Sequence, residues 1–466
     1  MTLTHRSATD LTRQLASGQV RATDLMEATL DRIDTVNPSV NAIVGQRPRD
    51  VLMAEARAAD ARDSVGPLHG LPIAIKDLVE VAGVVSTHGS PLYAQHIPEK
   101  DDLIAARLRA AGAIIIGKTN VPEFGLGSHT FNPVYGATGN PYAPTLTCGG
   151  SSGGAAVALA TGMTALADGS DMMGSLRNPA GWNNVYGFRP SFGVVPTDPE
   201  GDTFLHQLAT LGPMARSPED IALLLDVIGG PDPRQPHNLD IGAVSPLAVS
   251  DPRGKRIGWL GDWGGAFPME DGVLATCETA LEVFEDLGCI VDSVAPPFPA
   301  ERLWDSWITL RSWQVGAGYA DMLDQRDKLK DTAIWEIERG LALSAMDVHR
   351  ASVIRSEWYR RAASLFDRYD ALVLPSAQVW PFSRDIAWPT EIAGRQMDTY
   401  HRWMEVVVPV SLIGLPCLSA PAGFGQAGLP MGIQMFGRRG RDRALLEMGA
   451  AYHAATEWPQ KRPAMS

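Results

Sequence analysis

The chain has 466 residues, enough for two or three domains or for one large α/β unit. Its 45% apolar and 20% charged residues provide for a large core and exclude wholesale disorder. The net charge of −13, with no block of lysines or arginines to override it, argues against a nucleic-acid or anionic-membrane surface.

The first residues, MTLTHRSATDLTRQLASG, carry no apolar core of a signal peptide, and no run approaches the ~20 apolar residues of a membrane span. The expectation is a cytoplasmic protein that does not associate with membranes. Residues 8–36 read as mostly helical: Thr23 can cap a segment with Met26, Leu30 and Ile33 on one face, stopped by Asn37-Pro38. Residues 41–44 suit a short strand, and 49–61 an amphipathic surface helix. The apolar run 72–75 predicts a buried strand with Lys76 at its end. Lys76 is one of only seven lysines against 33 arginines. Its plainest role is snorkelling or pairing with Asp77, the alternative a buried catalytic amine.

A helix over 102–111 and a strand over 113–117 complete a βαβ signal, so the sheet is expected to be mixed or parallel. Lys118 then fits structural pairing. Residues 121–142 read as loop, rich in Gly, Pro and Asn. Two glycine-rich serine loops, CGGSSGG and GSDMMGS, bracket an apolar helix of small residues. Ser217 and Pro218 mark a helix entry, with acidic residues in its first turn. Residues 255–260 read as a strand, 276–287 and 306–343 as helices, and 371–374 as a strand. The tail 412–440 reads as a helix end and two strands around a Gly-Pro turn. One α/β domain over 1–466 is the simplest organisation: an α/β/α sandwich with a large mixed, mostly parallel sheet and a helical insertion at about 255–400. Four widely spaced cysteines without a CxxC pair read as reduced thiols.

Residues 149–153 match G-x-S-x-G around Ser151. A nucleophile elbow needs a good strand before it and Asp and His partners after it, and here the preceding APTLTC is weak and no histidine has a partner motif. No lysine follows a serine by three positions, no His/Cys set has ligand spacing, and the GGSSGG loop lacks the lysine of a Walker A loop. No metal or cofactor is expected.

The blocks GLPIAIKDLVE, GKTNVPEFGLGS, GGSSGGAAVALATG, GSDMMGSLR, GPMARSPEDIALLLDVI and LPCLSAPAGFGQAGLPMGIQ resemble, in order, the signature blocks of the amidase signature family. The match covers roughly residues 8–230 and 370–440. The resemblance implies hydrolysis of a small-molecule amide, anilide or carbamate, with ester or urethane cleavage as side activity, through a Ser–cis-Ser–Lys triad. Lys76 matches the family's lysine, Ser151 its bridging serine and Ser175 its nucleophile. The N–H groups of Met172, Met173, Gly174 and Ser175 match its oxyanion hole, and Ser152 its hydrogen-bond network. A serine hydroxyl needs a base, and a buried lysine acts as one only when desolvation leaves it neutral. Asp171 and Arg177 fit structural pairing. Phe124, Gly125 and Leu126 fall where relatives line the pocket. Many relatives read G-T-D-x-G-G-S where this chain has GSDMMGS, so Met172 and Met173 are expected to shape the acyl pocket, while Trp182 fits the core. Tryptophans 304, 307, 313, 335, 380 and 388 suggest an aromatic lid and an apolar or aryl substrate. The resemblance leaves room for a homodimer. Two alternatives stand beside it: the glutaminase component of a tRNA-dependent amidotransferase, and a catalytically silent binding module.

Overall fold

The computed structural model describes residues 2–198, 201–248 and 250–465. Eleven strands form one central sheet: β1 (Ile43–Val44), β2 (Pro72–Lys76), β3 (Ile114–Thr119), β4 (Leu166–Asp171), β5 (Tyr186–Arg189), β6 (Thr210–Ala215), β7 (Arg256–Trp259), β8 (Ile290–Ser293), β9 (Ala371–Pro375), β10 (Cys417–Phe424) and β11 (Pro430–Phe436). Their spatial order is β1-β3-β2-β4-β6-β5-β10-β11-β9-β7-β8. The sheet is mixed, as expected, but its majority direction is the reverse of the expectation. Parallel pairing is confined to β3–β2–β4 and to β9–β7–β8, and the six other neighbouring pairs are antiparallel. The βαβ unit over 72–119 is right as far as it reaches. Five residues separate β10 from β11, however, and a parallel crossover needs a dozen or more.

Helices flank the sheet: α1 (Ala8–Ala16), α2 (Ala22–Val40), α3 (Arg49–Asp60), α4 (Leu103–Ala110), α5 (Gly153–Ala160), α6 (Asn178–Trp182) and α7 (Pro218–Ile228) come first. The second half supplies α8 (Val273–Asp286), α9 (Ala300–Tyr319), α10 (Asp331–Leu341), α11 (Ala345–Leu365), α12 (Val408–Ile413) and α13 (Asp442–Thr456). Ser217 caps α7 by accepting from the Asp220 N–H, with Pro218 in the first turn. Thr23 is not a cap: the carboxylate of Asp60 accepts from the N–H groups of Ala22 and Thr23 instead. Nor does Pro38 stop α2, which runs on to Val40 and closes on Asn41 in the left-handed region. The helix expected over 306–343 is two helices joined by a 3-10 stretch, Ala320–Lys328. Gly340 lets α10 cross α9 closely, since a Cβ there would lie 2.0 Å from the Ser312 carbonyl oxygen. All four cysteines are buried free thiols. Among the described residues no helix is long and apolar enough to cross a membrane.

The core element that positions the serine loops is α5, GGAAVALA, buried on every side. Its sequence is small because the backbone just after β3 and just before β1 lies against it. A Cβ on Gly154 would sit 2.3 Å from the Asn120 nitrogen and 2.7 Å from the Ala42 carbonyl oxygen. Overpacking of this kind costs about 1–3 kcal/mol. Gly154→Ala is therefore expected to lower the urea midpoint with an unchanged slope, and an unshifted melt would show that this contact does not limit the packing.

Candidate functional site

Parallel pairing with Ala74 opposite Ala167 brings the carboxyl ends of β2 and β4 side by side. Open α/β sheets present ligand sites beyond such ends. Lys76 ends β2 and its side chain is fully buried. Its Nζ lies 2.9 Å from Ser151 Oγ, 2.8 Å from Ser152 Oγ and 2.9 Å from Ser170 Oγ. Asp77 is not its partner: that carboxylate accepts from Thr87 and faces Lys118 Nζ at 3.8 Å, so Lys118 takes the structural role. Burial lowers the Lys76 pKa to about 7, against the raising fields of Asp168 and Asp171. A neutral amine donates two hydrogen bonds and accepts one, so at neutral pH one of the three hydroxyls can point its proton at Nζ.

Ser151 follows a cis Gly150–Ser151 peptide and precedes α5. Side chains hold the loop by its carbonyls: Thr130 Oγ1 donates to Gly149 O, Ser128 Oγ to Gly150 O, and Asn183 Nδ2 to Cys148 O. Gly169 is required beside it, because a Cβ there would meet Ser152 Oγ at 2.8 Å. The segment before Ser151 pairs in a small hairpin, Gly139–Asn140 with Ala143–Thr147, outside the central sheet. The elbow reading of G-x-S-x-G therefore fails, because the strand before Ser151 is a hairpin arm and not a strand of the central sheet.

The second serine loop hangs on Asp171. This buried carboxylate accepts from the N–H groups of Gly174 (2.9 Å) and Leu176 (3.1 Å). It also accepts from Arg177 Nε (2.9 Å) and Arg189 Nη1 (3.0 Å). Burial would push its pKa up, but the two guanidiniums outweigh burial and hold it below the usual carboxylate range. Arg177 reaches onward to Val407 O, Gln434 and Ser411. The paired role expected for Asp171 and Arg177 is thus seen directly. One expectation needs correction: the Gly174 N–H is committed to Asp171 and is not free for a ligand. Among the described residues, the N–H groups of Met172, Met173 and Ser175 have no protein acceptor.

Both loops open on one cavity of about 620 Å³, which Ser151, Ser170 and Ser175 line together. Ser175 is 7% exposed, and its hydroxyl makes no hydrogen bond to Ser151 or to any other described residue. Phe124, Gly125, Leu126, Met172 and Met173 lie in the cavity wall. Gly125 approaches Ser151 most closely, with a Cβ position 3.5 Å from Oγ. The tryptophans do not form the wall. Trp304 and Trp307 are buried against each other, and Trp182 stacks on Trp403 in the core. The wall on that side is instead Arg311, Gln314, Val315 and Tyr319 of α9. Sequence reasoning missed Ser170, Arg311 and Gln314. Ser170 stands next to Asp171 in GSD, but its reach to Lys76 depends on the pairing of β2 with β4.

A buried amine thus stands among serine hydroxyls at the carboxyl ends of two neighbouring strands inside a mixed α/β sheet. The chain matches the Amidase family over residues 24–446. It is 34% identical to an acylamidase of Rhodococcus erythropolis, with 99% of this chain and 97% of that protein covered. It is 35% identical to a glutamyl-tRNA(Gln) amidotransferase component from Chloroflexus aurantiacus, covering 99% of each. Its fold superposes with a TM-score of 0.90 on a bacterial aryl acylamidase of the amidase signature enzymes, at 28% identity over 98% of this chain and 99% of that one. The chain belongs to the amidase signature family and is a hydrolase acting on carbon–nitrogen bonds.

Removing one partner of a buried charge network costs about 3–5 kcal/mol. Asp171→Asn, which leaves Arg177 and Arg189 without their shared anion, is expected to lose that much in a denaturant melt. A loss below about 1 kcal/mol, the range of an exposed pair, would remove Asp171 from its structural role.

Proposed function

We propose that this chain hydrolyses a carboxylic amide through an acyl-enzyme on Ser175. The observation that carries the reading is the desolvated Lys76 amine, hydrogen-bonded to uncharged hydroxyls and opening through Ser151 toward the cavity that Ser175 lines. Ser175 Oγ attacks the carbonyl carbon while its proton passes to Ser151 Oγ, whose own proton passes to neutral Lys76. The oxyanion faces the N–H groups of Met172, Met173 and Ser175; losing one such donor typically costs about 10²–10³ in rate. Collapse breaks the C–N bond, and the leaving amine takes the proton back along the same path. Water then adds to the ester, with Lys76 again as base, and releases the acid and free Ser175. Ser152 and Ser170 hold the amine in place.

Leu78, Phe124, Leu126, Met172, Met173, Tyr319 and Met404 in the wall support an apolar or aryl group on the substrate, as an amide, anilide or carbamate. The likeness to acylamidases favours the same class. A second reading, the glutaminase component of an amidotransferase, rests on the 35% identical relatives and requires partner proteins. Turnover of anilides by the isolated chain, with none of glutamine, favours the first; the reverse favours the second.

A fluorophosphonate probe is expected to add once to the intact protein, at Ser175. Ser175→Ala should abolish the adduct and Lys76→Ala should slow it by roughly a hundredfold or more, the span of general-base catalysis. An adduct that persists in Ser175→Ala contradicts the assignment.

Lys76 works as the neutral amine, so protonation inactivates it. Since its pKa is lowered to about 7, kcat/KM should be low below that pH and rise through it to a plateau. A flat profile across this range would remove Lys76 as the base.

A further inference from the structure

The α9 wall of the cavity holds hydrogen-bonding capacity that the protein leaves unused. Arg311 and Gln314 are three residues apart, hence on one helix face, and both line the cavity. A guanidinium has five N–H groups. In Arg311 three reach oxygens: Nε to Glu336 Oε1 (2.8 Å), and Nη2 to Glu336 Oε2 (3.2 Å) and Tyr400 Oη (3.2 Å). Nη1 reaches only the thioether of Met172, at 3.3 Å, a weak acceptor. Its other N–H has no protein acceptor among the described residues. Gln314 Oε1, one turn on, is buried and likewise without a partner. Buried polar groups are rarely left unpaired, and each specific exception calls for a cause.

We propose that Arg311 and Gln314 form a second polar subsite, which takes an uncharged hydrogen-bonding group of the substrate distinct from the scissile amide. The inference rests on the amide-hydrolysis reading and narrows its substrate class to amides bearing a carboxamide or carbamate, whose oxygen accepts from Arg311 and whose N–H donates to Gln314 Oε1, beside an apolar body. The ligand is uncharged because the cation is already balanced. Glu336 binds Arg311 through both oxygens, and His401, which also bonds Glu336, is kept neutral at pH 7 because burial lowers its pKa to about 4. A carboxylate would bring an uncompensated charge into a buried site. An oxygen acceptor would displace the Met172 sulfur from Nη1. Met172 lies three residues before Ser175, so the group bound there lies near the reacting carbonyl.

The test is kinetic, on the full chain, with anilides matched in length and carrying a methyl, carboxamide or carboxylate tip on the acyl chain or on the ring. Fluorophosphonate labelling of Ser175 is followed in parallel. For the best-placed pair, the carboxamide should exceed its methyl counterpart in kcat/KM by roughly tenfold or more, as expected for a hydrogen bond to a charged donor. The ratio should collapse toward one in Arg311→Met and in Gln314→Leu. The second variant removes no charge and keeps the test open if the first fails to fold around a stranded Glu336. A ratio near one at every length, or a preference for carboxylate over carboxamide, overturns the subsite while a labelled, anilide-cleaving Ser175 leaves the hydrolysis reading standing. An unlabelled Ser175 without anilide turnover overturns both.

Discussion

An amine buried away from water is a base at neutral pH only if its neighbours hold it without adding negative charge. Lys76 meets that condition: its amine is met by hydroxyls of Ser151, Ser152 and Ser170 and by no carboxylate. Had Asp77 been the partner, the ion pair would have kept the lysine protonated. Instead Asp77 faces Lys118, a second buried lysine, and Asp168 accepts from the backbone N–H of Lys76, not from its amine. The two lysines at neighbouring strand ends thus divide their roles by which acids reach them. The proposed reaction depends on that division.

The second constraint is the arginine-bound Asp171. A short loop that exposes several unpaired N–H groups is unfavourable unless something fixes its backbone. Asp171 does this from inside, bonding Gly174 and Leu176 N–H while Arg177 and Arg189 anchor it to the sheet and to the α12 region. Taking the Gly174 N–H out of service is part of the same arrangement. The loop turns at Gly174, with φ +80°, so that the N–H groups on either side remain unpaired. Met173 lies in the cavity wall beside this backbone scheme.

Much of this was legible in the sequence because it is local. The βαβ unit ending in Lys76 and Lys118, the Ser217-Pro218 helix start and the hairpin at 417–436 are encoded by neighbouring residues. The serine loops announced themselves by glycine. What was hidden is long-range. Ser170 meets Lys76 only through strand pairing across 94 positions. The sheet's antiparallel majority arises where β4, β6, β5 and β10 fit together, which no single segment specifies. The tryptophans misled because large aromatic side chains pack helices as readily as they line pockets: Trp304 and Trp307 are core, and α9 turns Arg311 and Gln314 toward the cavity instead. Gly174 misled because its N–H is bonded three residues back, a turn that composition does not reveal.

The central claim is the neutral amine, and its most direct measurement is the titration of Lys76 itself. In the protein labelled with 15N at lysine Nζ, the resonance missing from Lys76→Ala should titrate near pH 7. The same resonance titrating near the ordinary lysine value of about 10.4 would mean that Lys76 is a cation throughout the neutral range, and the account of the base would be wrong.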